Sequence, residues 1–272
     1  MVTFPMLDEE WMQDRFQRDL EWFKALDSNP ADLHEFLNNR ATRLVGKKFE
    51  ALLEFWFSKS PWFELVATNV QFHSGDGTRG EADFLVRDLY SEEFLHIEVA
   101  CKYYWSSSNS SDWYSMIGPN KQDRLGLKMQ KFKRQTKLFQ TAEGKAFLLS
   151  NGLPSPISVV WLKGYFFYAF YELGGAVFPK LANKHHHAGW FVFVDQLEAF
   201  QNTPKQWVVL PRTHWISPYH SQGNELPILT GQELFLEVRD AINVNSKAVL
   251  VAQLEEDRFG MREVSRGLVL AR

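Results

Sequence analysis

From Phe94 to Trp105 the chain reads FLHIEVACKYYW, a run rich in β-branched and aromatic residues with one carboxylate, Glu98, inside it. An ionised carboxylate in an apolar strand is costly unless a cation or hydrogen-bond donor is brought to it. Any fold this chain adopts must therefore give Glu98 a partner. The segment just upstream, GEADFLVRD, starts at Gly80 and reads as a second strand over Glu81 to Arg87, joined to the first by an acidic turn. It carries Asp83.

Side chains alternate along a strand, so Glu81 and Asp83 share one face, and Glu98, Ala100 and Lys102 share another. If the two strands pair, Asp83 and Glu98 converge. Carboxylates brought together repel unless a hard cation lies between them, and Mg²⁺ or Mn²⁺ suits such an oxygen-rich site. Such a cation would polarise a phosphate or activate a water. Many metal-dependent nucleases follow the pair with Glu-x-Lys. Here Ala100 holds the lysine position and Lys102 comes two residues later. A shift of two keeps the face and moves the Cα by roughly 6.6 Å. A solvated face with a cross-strand ion pair gives the same spacing. The apolar setting of Glu98 is what favours a buried partner or a metal.

Two helices flank this pattern. The first, Arg40 to Phe57, places Arg40, Arg43, Lys47, Glu50 and Glu54 on one face at three- and four-residue intervals. Pairing of Lys47 with Glu50 or Glu54 is the plain reading. The sharper one has Glu50, ahead of Glu54, reaching the metal. The second helix is expected from Asn120, as its cap, to about Ala142. Lys121, Arg124, Lys128 and Lys131 repeat along it at helical spacing, with Lys133, Arg134 and Lys137 adding charge. A basic helix face is usually just solvated, but beside carboxylates it can hold a phosphate backbone of DNA or RNA.

The remaining pattern bounds the fold. Helices are expected over Glu9 to Ala25 and Asp32 to Phe36. A strand is expected over Glu64 to Phe72 and a strand or hairpin over Ile157 to Ala169, with SGDGTRG, from Ser74 to Gly80, as a turn. The order helix, three strands, helix, strand gives a mixed α/β core. Three regions follow: an N-terminal helical segment over 1–39, the core over 40–170, and an α+β elaboration over 171–272. In the last, strands are expected at Gly189 to Val194, Gln206 to Leu210, Ala248 to Leu254 and Arg262 to Leu270, and a helix at Gly231 to Ile242.

With 272 residues, 45% hydrophobic and 23% charged, the chain can bury a sizeable core. Its net charge of -3 gives no global basic footprint, so nucleic-acid contact would come from a local patch. A single cysteine, Cys101, excludes an internal disulfide framework and fits a reducing compartment. No signal-peptide pattern or bilayer-spanning run is present, so a cytoplasmic location without membrane contact is expected. No small-molecule cofactor is expected. His185, His186 and His187 are adjacent, so they cannot all point at one ion without unusual backbone.

Several segments together resemble a bacterial family, domain of unknown function 1853: VGKKFEALLEFW, GEADFLVRD, LHIEVACKYY, GPNKQDRLGLKM, HHHAGWF, WVVLPRTHWISP and REVSRGLVL. They cover the chain from about residue 40 onward. That family looks like a divergent branch of the PD-(D/E)XK nucleases. The resemblance implies a restriction-endonuclease-like mixed central sheet flanked by helices. It also implies a metal site at Asp83, Glu98 and Lys102, with Glu50 matching a helix carboxylate. Ala100 and Gly126 depart from the pattern, standing where a lysine and an acidic residue are expected. The expected function is a Mg²⁺- or Mn²⁺-dependent nuclease acting on DNA or RNA. The alternatives are an inactive nucleic-acid-binding module or a protein-interaction domain on the same fold.

Overall fold

The computed structural model describes residues 5–40, 42–74, 77–221 and 226–272. Its helices are α1 (Glu9–Arg18), α2 (Leu20–Ser28), α3 (Ala31–Asn38), α4 (Val45–Lys59), α5 (Leu125–Gln135), α6 (Ala142–Ser150) and α7 (Gly231–Asn245). Its strands are β1 (Phe63–Ser74), β2 (Gly77–Asp88), β3 (Phe94–Ser106), β4 (Met116–Ile117), β5 (Ile157–Ala169), β6 (Ala188–Phe193), β7 (Gln206–Val209), β8 (Val249–Asp257) and β9 (Gly260–Leu270). The fold is mixed α/β. The chain divides into two compact units, one of Met1–Cys101 with Met129–Lys163, the other of Lys102–Lys128 with Gly164–Arg272. No helix among the described residues is long and apolar enough to cross a membrane.

In the first unit β2 pairs antiparallel with β1 and with β3. One apolar cluster joins Phe72, Ala82, Leu85 and Phe94 of these strands to Leu138, Phe139 and Leu148. The aromatics of α4 pack on the strands as well. Phe57 meets Phe63 at 5.1 Å and Phe84 at 5.6 Å between ring centroids, both edge-on. Full burial of such a side chain contributes about 1.5–3 kcal/mol.

The single helix expected over Glu9 to Ala25 is two helices, because Asp19 breaks it. Asp19 is buried, and its carboxylate turns inward to accept from the Trp56 indole N–H and from the Ser60 hydroxyl at 3.0 Å. A second buried acid, Asp88, ends β2 and accepts from Nε and Nη2 of Arg15 on α1, at 2.8 and 2.6 Å. Helix α4 starts at Val45, leaving Arg40 outside it. The expected turn at Ser74 to Gly80 is largely strand in its flanks, and its residues 75–76 lie outside the described residues.

In the second unit β5, β6 and β9 run parallel, and β9, β8 and β7 antiparallel, so the sheet is mixed. Helix α7 covers it, with Leu234, Val238 and Ile242 packed on Trp190, Val192, Trp207, Val251 and Val269. Its start is written locally. Thr230 Oγ1 accepts from the Glu233 N–H, and Glu233 Oε2 accepts from the Thr230 N–H at 2.8 Å, a reciprocal cap. The C-terminal strands and α7 fall where the sequence places them, within a few residues.

The basic helix is shorter than expected. Asn120 does not cap it: its Oδ1 accepts from the N–H groups of Gln122 and Asp123, and the Gly118 N–H donates to the Asp123 carbonyl. Lys121 takes φ 62 in this turn, a left-handed conformation that no helix continues through. Helix α5 therefore begins at Leu125, and a turn at Leu138–Gln140 separates it from α6.

Candidate active site

The register of β2 on β3 runs from Arg87↔Phe94 to Phe84↔Ile97. Leu85 and His96 are opposite each other and share a face. Asp83 lies two residues before Leu85 and Glu98 two after His96, so the alternation puts both carboxylates on that same face. Just past the last ladder pair, the Val99 N–H donates to Asp83 Oδ2 at 2.8 Å. Asp83 is half-buried, whereas the Glu98 side chain is 0% exposed.

Glu98 receives the partner its setting demands from His96. The His96 Nε2 lies 2.8 Å from Glu98 Oε1, and its Nδ1 lies 3.0 Å from the Ser158 hydroxyl of β5. The Phe139 ring stands edge-on to the imidazole at 4.9 Å. Burial pushes the His96 pKa down to about 4, with the negative charge of Asp83 working against the shift. The ring is therefore neutral at pH 7.

The other expected site residues have separate engagements. Glu50 is ion-paired with Lys47 one turn away on α4, and Glu54 accepts from Arg40 at 2.8 Å. The bond to Glu50 is the main cause raising the Lys47 pKa, and the charges of Glu81 and Asp83 add to it. In the second unit, Lys102 Nζ donates to Asp123 Oδ2 at 2.5 Å. Burial and the Asp123 carboxylate push the neighbouring Tyr104 phenol up. Of the basic set, Lys121 and Arg124 precede α5, and Arg124 donates to the Tyr114 carbonyl at 3.2 Å. Lys128 and Lys131 lie on α5, three residues apart. The four do not form one helical stripe, because the turn at Asn120–Asp123 intervenes.

His96 and Ser158 are not among the residues singled out from the sequence. His96 carries a signal in hindsight, two residues before Glu98 and so on its face. Ser158 carries none, being 62 residues from His96. His186 contacts the Tyr168 hydroxyl at 2.9 Å and His187 stacks on Tyr165.

Mg²⁺ keeps several of its waters and is commonly held by one or two carboxylates together with substrate phosphates. Asp83 and Glu98 are the type of carboxylate pair such an ion uses: they lie on one face of paired strands and each has one oxygen placed by a hydrogen bond, Asp83 half-buried and Glu98 fully buried. A larger protein cage is not present, since among the described residues no group of three or more His, Cys, Asp or Glu side chains is placed to hold an ion.

No curated protein and no solved structure matches the chain. The model of the family described as "Domain of unknown function (DUF1853)" matches residues 3–270, and the chain belongs to that family.

Proposed function

We propose that this chain is a metal-dependent nuclease that hydrolyses phosphodiester bonds of DNA or RNA on a restriction-endonuclease-like core. The observation that carries the reading is the placement of Asp83 and Glu98 on one face of two paired strands, each oriented by a hydrogen bond. Asp83 and Glu98 would hold Mg²⁺ or Mn²⁺, and Glu50 would add charge from α4. A divalent cation bound there would polarise the phosphate and acidify a water. Asp83 keeps its carboxylate in place through the Val99 N–H, and Glu98 through His96. Lys121, Arg124, Lys128 and Lys131 would neutralise backbone phosphates. Lys102 would assist by exchanging its bond to Asp123 for substrate.

A second reading is an inactive nucleic-acid-binding module. The ion pair that occupies Lys102, with Ala100 in the usual lysine position, favours it. Both readings are tested by incubating the full chain with labelled single- and double-stranded DNA and RNA, with and without Mg²⁺ or Mn²⁺. Cation-dependent cleavage lost in Glu98→Gln supports the nuclease. Glu98→Gln keeps side-chain shape, which guards against simple unfolding. Cleavage unchanged in Glu98→Gln and Asp83→Asn refutes the site. Salt-sensitive binding without cleavage favours the second reading.

A further inference from the structure

The first unit contains a three-member polar chain that a carboxylate pair does not by itself require. It runs from the half-buried Ser158 hydroxyl on β5 through the fully buried His96 ring to Glu98, with contacts of 3.0 and 2.8 Å. A neutral imidazole carries one N–H, so one ring nitrogen donates and the other accepts. An ionised carboxylate only accepts. With Glu98 ionised, Nε2 must carry the hydrogen and Nδ1 must accept from the Ser158 O–H. The two contacts are thus coupled: the hydroxyl on β5 selects the tautomer that donates to Glu98 on β3. Phe139 packs edge-on against the ring at 4.9 Å, and Leu85 is its cross-strand neighbour.

We propose that Ser158, acting through His96, is a positioning residue that fixes the orientation of the Glu98 carboxylate for a divalent cation. The proposal rests on the nuclease reading above. Partners of this kind are general around metal sites, because a ligand held by a second hydrogen bond loses less freedom on binding. Ser158 enters without touching the cation, and its effect passes only through the imidazole.

The same order of hydroxyl, imidazole and carboxylate occurs in acyl-transfer triads. Covalent labelling of Ser158 by a fluorophosphonate probe would overturn the positioning role in favour of a nucleophilic one. The geometry favours positioning, since the imidazole is sealed from solvent and the chain has no Gly-x-Ser-x-Gly turn.

The experiment uses the full chain with ¹⁵N-labelled histidine. Imidazole nitrogen shifts should show His96 as the Nε2–H tautomer in the wild type and a mixture in Ser158→Ala. Mn²⁺ affinity, measured by calorimetry, should fall by about 10–100-fold in Ser158→Ala. Ser158→Thr, which keeps the hydroxyl, should retain wild-type affinity and tautomer. An Nδ1–H tautomer in the wild type overturns the proposal whatever the cation does. Mn²⁺ binding that depends on Glu98 but is unchanged in Ser158→Ala overturns the positioning role and leaves the nuclease reading intact. A wild type that binds no Mn²⁺ overturns the nuclease reading, and the positioning role falls with it.

Discussion

Replacing His96 should remove a defined part of this protein's acid sensitivity. Burial depresses the folded-state pKa of His96 from 6.5 to about 4. Because the folded pKa lies below the unfolded one, the neutral ring stabilises the fold fully above pH 6.5. That stabilisation is lost as the pH falls toward 4, where the unfolded chain binds a proton that the folded chain refuses. With these two values, linkage gives a loss of about 2 kcal/mol between pH 7 and pH 5, and most of it accrues below pH 6. Carboxylates lose stability in the same direction, so the measurement is a difference. Unfolding free energies from urea titrations at pH 7 and pH 5 are compared for the wild type and His96→Gln. Glutamine keeps a donor for Glu98 but does not titrate. The variant should be less stable at pH 7, because packing against Phe139 is lost, yet its loss on going to pH 5 should be smaller by about 2 kcal/mol. Equal acid losses in both proteins, or a wild-type His96 that titrates near 6.5 by NMR, would refute the reasoning.

Two further predictions concern the framework. Asp88→Ala should cost up to about 3–5 kcal/mol, because it removes two of the bonds to the buried Arg15 guanidinium, which keeps Asp14 as its remaining carboxylate partner, and also the acceptor for the Tyr90 and Ser91 N–H groups. In chemical denaturation Asp88→Asn should lose less, and an Asp88→Ala loss within the roughly 0.5 kcal/mol of an ordinary surface change would rule the pair out as a contributor. Gly164 has φ 134, and a Cβ there would lie 1.7 Å from the Lys102 carbonyl oxygen. Gly164→Ala should therefore cost more than the ~1–2 kcal/mol expected for Gly152→Ala, which has φ 62 and open space around it. Comparable melting temperatures for the two variants would show that β5 gives way at this point.

The sequence by itself determined the local pattern. Alternation located β2 and β3 and grouped Glu81 with Asp83 and Glu98 with Ala100 and Lys102, because side-chain parity is a property of the extended chain, but the register that puts Asp83 and Glu98 on one face came from the pairing of the strands. The apolar run around Glu98 also forced the conclusion that this carboxylate has a partner. The helix from Gly231 and the strands after it were equally legible, since each is settled within a few residues. Segments spread along the chain were enough to recognise the family. Tertiary structure alone decided which partner each charge takes. Ser158 reaches His96 from another strand, Lys102 goes to Asp123, and Asp19 turns in to Trp56 and splits a helix that periodicity runs straight through. The turn at Asn120–Asp123 likewise cut short a helix that charge spacing had extended. Periodicity records which face a side chain points to, but burial and hydrogen-bond competition across the fold choose what it meets there.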